Sequence, residues 1–538
     1  MSGLDAADLE ARLAAFGAAR GLFDALVEEL GDPAADALTH AELEERIASR
    51  GREVMRQMLQ DHLDLRSIRE PRHGEVIGAD QVPRRRVEPG HRRALATVFG
   101  TVTVTRIAYR ALRASNLHPM DAALNLPVER AGFGLRRLAA LEAVRGSFDE
   151  AKAAIERATG TRIGKRQVEQ SAERAAADIE AFYRAAPPAE CTDETLLVAS
   201  LDGKGIVVRP EPLRERTAKA AAAKGSNAMK TRLATGEKNG RKRMAMLGAV
   251  YDAEPAVRTA PDVIAPPGEA MRQREPGPKA MNKWLTGSVT DNTQTVISAV
   301  FDQVEQRDPE HRRTWIVLVD GARAQIEQIQ TEAAMRKATI HIVCDFIHVL
   351  EYLWKAAWCF HDNGDPGAED FVARHARTIL TNGPAPVIDD LREHAADAGL
   401  GSEKTETVEK VCTYLENKSP YLDYATALRR GWPIATGIIE GACRHLIKDR
   451  LDITGARWSL PGAEAVLKLR ALIANGDFEP YYAWHLHREH QRTHQARYQD
   501  KLSLAAWPRQ SLNESRTHST SHRRQRLARN PDDAVPGQ

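Results

Sequence analysis

"VASLDGKGIVV" (residues 198–208) is an apolar, strand-like run broken by one acidic residue and a glycine, Asp202 and Gly203. Further along, "TWIVLVDGARA" (314–324) repeats the device, setting Asp320 before Gly321 at the end of a second apolar run. Around these two lie "TLLVASLD", "GIVVRP", "MAMLGAVYD" and "TIHIVCDF", all within residues 192–350. Each is short and bounded by polar residues or glycine, as buried strands of an α/β sheet are. Both aspartates therefore read as residues that end strands. If those strands are neighbours, the two carboxylates meet at one edge of the sheet.

Two close carboxylates repel unless a divalent cation neutralises them. Mg2+ prefers oxygen ligands, and a carboxylate pair with a third acid can hold ions for phosphodiester chemistry, with Mn2+ as a substitute. Candidates for the third acid are Asp345 in "HIVCDFIHVLEYLW", Glu351 on the helix that follows, and Glu440 in "WPIATGIIEGACRHLIKDRLDITGARW". The ordinary alternative is that Asp202 and Asp320 begin turns or cap helices. Glu440 alone could be an N-terminal helix acid favoured by the macrodipole.

Outside the α/β stretch, 538 residues are too many for one core, so several domains are expected. With 76 Lys and Arg against 74 Asp and Glu, the net charge of +2 leaves any polyanion-binding surface to uneven distribution. The sharpest local excess is in residues 204–243, where twelve basic residues face Glu211, Glu215 and Glu237, a local balance of +9. A solvated loop accounts for it, as does contact with a phosphate backbone. The cysteines (191, 344, 359, 412, 443) show no CxxC spacing, which argues against a disulfide framework or zinc finger and fits a reducing cytoplasm. The N-terminus lacks the basic start of a signal peptide, and no apolar stretch is long enough for a membrane span.

Residues 1–70 read as amphipathic helix, and 69–94 as a polar Pro/Gly-rich connector. "LATVFGTVTVTRIAYRAL" reads as a short strand or hairpin. In "SFDEAKAAIERATGTRIGKRQVEQSAERAA" a helix from Ser147, a break at "TGTRIG" and a second helix from Lys165 give the layout of a helix-turn-helix. That layout would offer Lys165, Arg166 and Gln167 to a DNA groove, although plain helical hairpins look the same. Residues 362–430 are helical, and from 485 to 538 the composition turns to His, Arg, Gln and Ser, which predicts a poorly ordered basic tail. His487, His490 and His494 have metal-compatible helical spacing but read better as a solvated segment, while Trp432 and Trp458 read as core.

"SLDGKGI", "IVLVDGA", "CDFIHVLEYLW" and "GIIEGACRHLIKDRLDITGARWS", taken in order, resemble bacterial insertion-sequence transposases of the ISKra type, within the mutator-like DDE group. The resemblance covers roughly residues 195–475, extends more weakly over 90–185, and rests on the four motifs together rather than on any one. It implies an RNase H-like α/β core in residues 192–361 and 431–484, interrupted by an all-α insertion in 362–430 and preceded by a mainly helical DNA-binding region reaching to about residue 190. By the same resemblance Asp202, Asp320 and Glu440 are the catalytic, Mg2+-holding triad, and Asp345 with His348 support it. Lys204, Lys242, Arg243, Arg444, Lys448, Arg450 and Arg457 are expected at DNA. In a continuous α-helix, Arg444 and Lys448 would share the face of Glu440. The implied activity cleaves transposon ends with water and joins the freed 3′-hydroxyl to target double-stranded DNA, with multimerisation because two ends must be paired. A metal-dependent nuclease that cuts without joining, or a DNA-binding regulator without catalysis, are the alternatives. One departure is that members of the group often carry a cysteine pair after the "FGTVTVTR"-like strand. This chain reads "IAYRALRASNLHPM" there, which counts against a zinc-stabilised N-terminal module.

Overall fold

A computed structural model describes residues 14–187, 193–209, 215, 219, 241–266, 273–453 and 455–498. Most of the basic stretch 204–243, Cys191 and the tail beyond 498 lie outside the described residues. The chain forms two compact units, one of residues 1–184 with 477–538 and the other of residues 185–476.

The second unit is mixed α/β, built on five strands: β5 (Leu196–Val208), β6 (Arg241–Ala253), β7 (Ala280–Ser288), β8 (Trp315–Val319) and β9 (Ile340–Cys344). Their order across the sheet is β7-β6-β5-β8-β9. The pairs β7–β6 and β6–β5 are antiparallel, while β5–β8 and β8–β9 are parallel. Residues 196–201 of β5 and all of β8 are buried, so both faces of the sheet are covered, as the continuous apolar runs require. Helices Thr293–Arg307 and Arg323–Met335 make the connections before and after β8, and Phe346–Phe360 follows β9. A helical stretch of Gly367–Asn382, Ala385–Asp397, Ser402–Lys418 and Tyr424–Arg429 precedes the final helices Gly437–Ala442 and Leu460–Ala474.

Two expectations change here. "TLLVASLD" and "GIVVRP" are one strand, because β6 pairs with β5 without interruption from Leu196↔Ala253 to Val208↔Arg241. Asp202 therefore lies within a strand rather than at its end. The fifth strand is β7, "AMNKWLTGS", whose polar residues hid it; it is an edge strand, where apolar continuity is not needed.

In the first unit, helices Gly17–Gly31 and His40–Ile68 are followed by short strands β1 (Val76–Ile77) and β2 (Pro83–Arg84). The hairpin of β3 (Arg86–Thr97) and β4 (Gly100–Arg110) comes next. The expected connector 69–94 thus contains β1, β2 and most of β3, and its Pro89 and Gly90 are absorbed in a bulge between Glu88 and His91. Leu63, Leu95, Val102, Val104, Met120 and Leu126 form the core under the hairpin.

Helix Phe148–Thr159 starts at a Ser147/Glu150 capping box and ends at Gly160 in the left-handed region, and Lys165–Ala176 follows. The C-terminal helix runs from Phe478 to Thr493, so residues 485–493 are helix and not tail. His485, Glu489 and His494 are buried there, which their polar composition concealed. No helix among the described residues is long and apolar enough to cross a membrane.

Candidate metal centre

Strand register brings the aspartates together. The parallel ladder of β5 on β8 ends with Ser200 beside Leu318, and Asp202 and Asp320 each stand two residues further on. The ladder of β8 on β9 ends with Val319 beside Cys344, and Asp320 and Asp345 each follow directly. Three neighbouring strands thus deliver three carboxylates in step. Gly321 turns the chain away at φ 96°, a conformation that costs an L side chain dearly. A β-carbon there would also crowd the end of the Lys418 side chain at 3.3 Å.

Each acid is held differently. Asp202 Oδ1 accepts from the Gly203 amide, and its Oδ2 accepts from the Cys443 thiol at 2.9 Å. Burial, then Asp202 itself, pushes the Cys443 thiol well above the usual range, so it stays a donor. Asp345 is fully buried and caps helix Phe346–Phe360, its Oδ1 accepting from the amides of Ile347 (3.2 Å) and Thr436 (3.1 Å). Thr436 also donates its hydroxyl to Glu440 Oε1 at 3.1 Å. One residue therefore ties Asp345 to Glu440, which is itself exposed. Burial first, then the charge of Asp202, raises Asp320 to about 6, with Asp345 and Glu440 adding to the rise and His348 opposing it.

The ligand atoms of Asp320, Asp345 and His348 all lie within 4.8 Å of one another and could hold a metal ion. Asp202 and Glu440 are not in that tight group, though both act electrostatically on Asp320. A divalent cation suits the donors. Asp345 Oδ2 is buried with no hydrogen-bond partner, and the charges of Asp202, Asp345 and Glu440 act on Asp320 against that of His348. Oxygen ligands suit Mg2+ or Mn2+, and the imidazole of His348 suits Mn2+ better.

Neither a protein-family model nor a curated protein matches this chain.

The basic residues singled out from the sequence fall into different environments. Lys204 is exposed and, two residues from Asp202, shares its face of β5. Lys242 pairs with Val207, on the other face and further along, and is ion-paired with Asp452 at 3.1 Å; its expected place beside Asp202 is corrected. Arg243 is half-buried and donates to the carbonyls of Val289 (2.7 Å) and Thr290 (3.3 Å). Arg444, Lys448 and Arg457 are exposed. Arg450 is not: it is 3% exposed, with its guanidinium 4.5 Å from the Trp458 ring centre, so it packs rather than faces DNA. The helix from Gly437 widens into a π-helical turn over Cys443–Lys448. The wider turn rotates Lys448 off the α-helical register with Glu440, contrary to the expected shared face. Trp432 and Trp458 are buried, as expected of core residues.

In the first unit Lys165 pairs with Asp149, and Gln167 Oε1 accepts from the Gly164 amide, so two of the three expected groove residues have local partners. Arg166 is exposed and makes no hydrogen bond or ion pair among the described residues. The turn between the helices is anchored by Thr161, whose hydroxyl donates to the Thr97 carbonyl at 2.9 Å.

A second group that could hold a metal is Asp178, His485 and Glu489. Its carboxylates are already neutralised: Arg492 donates to both oxygens of Asp178 at 2.8 and 2.9 Å and pairs with Glu489, which also meets Arg136 at 3.2 Å. His490 and His494 turn their Nε2 atoms to the carbonyls of Ala122 and Leu126. They are therefore neither a solvated run nor, with the exposed His487, a common ligand set.

Four residues near the acids were not singled out from the sequence. Cys443 stands three residues after Glu440, a helical spacing that could have flagged it. Thr436 gave no signal. Tyr414 and Lys418 stand one turn apart on helix Ser402–Lys418, far in sequence from the acids. Burial raises the Tyr414 phenol, and Cys344, Asp345 and Asp320 add to the rise; its Oη is buried with no partner.

Proposed function

We propose that the chain is a DNA transposase whose second unit is an RNase H-like core with an all-α insertion over residues 362–430. The observation that carries this reading is the alignment of Asp202 and Asp320 on adjacent strands β5 and β8, with Glu440 linked through Thr436 to Asp345 beside them. Asp202, Asp320 and Glu440 would hold Mg2+ or Mn2+, with Asp345 and His348 in support. Bound there, the ions would supply activation of water or a 3′-hydroxyl and stabilisation of the leaving oxygen.

The protein's own groups do the rest. Cys443 fixes one oxygen of Asp202, and Thr436 fixes one oxygen each of Asp345 and Glu440, so the acids are oriented before DNA arrives. Lys204, Arg444 and Arg457 are exposed cations that would hold the phosphate backbone. Water is the first nucleophile and the freed 3′-hydroxyl the second, with no covalent protein intermediate. The helix pair 148–176 would read the transposon end through Arg166. Two ends must be paired, so at least two copies act together on double-stranded DNA in the bacterial cytoplasm.

Incubation of the full-length protein and Mg2+ with labelled DNA from the ends flanking the reading frame, together with plasmid target, tests the reading. Covalent joining of labelled 3′ ends to plasmid is expected. Cleavage without joining would make the chain a nuclease, and binding without cleavage would make it a regulator.

A further inference from the structure

The first unit contains a cavity of about 270 Å³. Its wall is drawn from four segments: β3 gives Arg93, β4 gives Arg106, the stretch after the hairpin gives His118 and Asp121, and the C-terminal segment gives His494 and Arg497. The hairpin register pairs Arg93 with Val104 and Arg106 with His91, which puts both arginines on one face. Three guanidiniums thus converge with one carboxylate, Asp121, which is ion-paired with Arg106.

Much of this lining is already anchored. Arg93 uses one terminal nitrogen on the carbonyls of Pro127, Val128 and Glu129, leaving its other two nitrogens. His494 faces the Leu126 carbonyl. Arg497 is exposed, and its guanidinium makes no hydrogen bond or ion pair among the described residues. Burial, then Arg106, His91, Arg93 and Arg497, hold His118 down at about 4, which marks a place where a further positive charge is disfavoured. Two further carboxylates act on this lining: Glu70, whose Oε2 accepts from the Ile107 amide, interacts with Asp121 and Arg106, and Glu129 interacts with Arg93.

We infer that this cavity is a phosphate-binding site, taking a single phosphate group between Arg93, Arg106 and Arg497. Guanidiniums bind phosphate oxygens in a fork that few other anions match. The space is smaller than the roughly 300–1,000 Å³ typical of drug-sized ligand pockets, which suits one phosphate with part of its ester. The phosphate could belong to a nucleic-acid backbone or to a small phosphate ester, and the chemistry of recognition is shared.

The test uses the full-length protein and inorganic phosphate, followed by calorimetry. Saturable binding is expected, weakened about tenfold or more in Arg497→Glu by loss of a charge-assisted contact and reversal of its charge. Arg497→Lys should bind with intermediate affinity, since it keeps the charge without the fork. Arg497 is exposed, so each variant should unfold at the wild-type temperature in phosphate-free buffer; if Arg497→Glu does not, Arg497→Gln replaces it. Displacement of phosphate by a short DNA duplex would assign the site to the backbone, and displacement by a nucleoside monophosphate alone to a small ester. Absence of saturable phosphate binding, or binding unchanged in both Arg497→Glu and Arg497→Gln, would overturn the proposal. Cleavage activity at the acidic cluster is read separately, so the two accounts stand or fall independently.

Discussion

Asp202 and Asp320 stand side by side because each lies two residues beyond the last rung, Ser200 beside Leu318, of the parallel ladder joining β5 to β8. Their separation in the chain is the register of that ladder. Backbone pairing, and not a local loop, therefore sets their distance, and a site on strands is held more rigidly than one on loops.

Cys443 should matter through Asp202. Its thiol is the donor to Asp202 Oδ2, so Cys443→Ala removes that donor and leaves the carboxylate oriented by the Gly203 amide alone. The expected result is a loss of about 10- to 100-fold in Mn2+ affinity and in cleavage, as for other groups that orient a ligand. Cys443→Ser, which keeps a donor, should recover much of it. Titration of Mn2+ into the three proteins, followed by calorimetry, measures this, and equal affinities would remove Cys443 from the account.

Asp345 and His348 are expected to be helpers. Asp345→Asn and His348→Ala should retain cleavage within about 100-fold of wild type, improved by raising Mn2+, where Asp320→Asn shows none. The tight grouping of Asp320, Asp345 and His348 sharpens the comparison. If Asp345→Asn is as inactive as Asp320→Asn at every Mn2+ concentration while Glu440→Gln cleaves, then Asp345 is the third ligand.

Acid should loosen the first unit through Asp178. Burial alone would raise this carboxyl, but hydrogen bonds from His485 and Arg492 outweigh it and hold it well below the usual carboxylate range. A group depressed on folding contributes stability above its unfolded pKa of about 3.9, and that contribution is lost as pH falls toward the folded value. Asp178→Asn should therefore cost about 3 kcal/mol at neutral pH, the scale for breaking a buried pair, with the gap to wild type closing below about pH 4. Urea unfolding at several pH values reads it. A gap that is constant with pH would mean that packing, not charge, is lost.

Arg166 carries the recognition prediction. Arg166→Ala in the full-length protein should weaken binding to end DNA by about 1–3 kcal/mol and leave binding to scrambled DNA nearly unchanged. The full chain is needed because the C-terminal helix Phe478–Thr493 belongs to the same compact unit. Gel-shift titrations with both duplexes decide it, and an equal loss on both would reduce Arg166 to a phosphate contact.

Strand-forming apolar runs and the acids that punctuate them were legible in the sequence, because burial on both faces of a sheet leaves an unbroken apolar signature. β7 was hidden, since its edge position tolerates Asn282, Lys283 and Thr286. The C-terminal helix was hidden for a related reason. His485 and Glu489 are polar yet buried, and only partners distant in sequence, Asp178 and Arg136, make their burial tolerable. Arg450 shows the reverse error: a basic residue beside an acid looks like a DNA contact until Trp458 is seen to cover it. Tyr414 and Lys418 could not be read at all, because no sequence spacing reports that helix Ser402–Lys418 comes to the strand ends.

The most direct measurement is cleavage of labelled end DNA by the full-length protein with Mg2+, Mn2+ or Ca2+, beside Asp202→Asn, Asp320→Asn and Glu440→Gln. Cleavage is expected in Mg2+ and Mn2+ and not in Ca2+, whose looser coordination does not suit the step. Each of the three variants should fall to background while still binding DNA. Cleavage that survives EDTA, or full activity in any one of the three, would contradict the account.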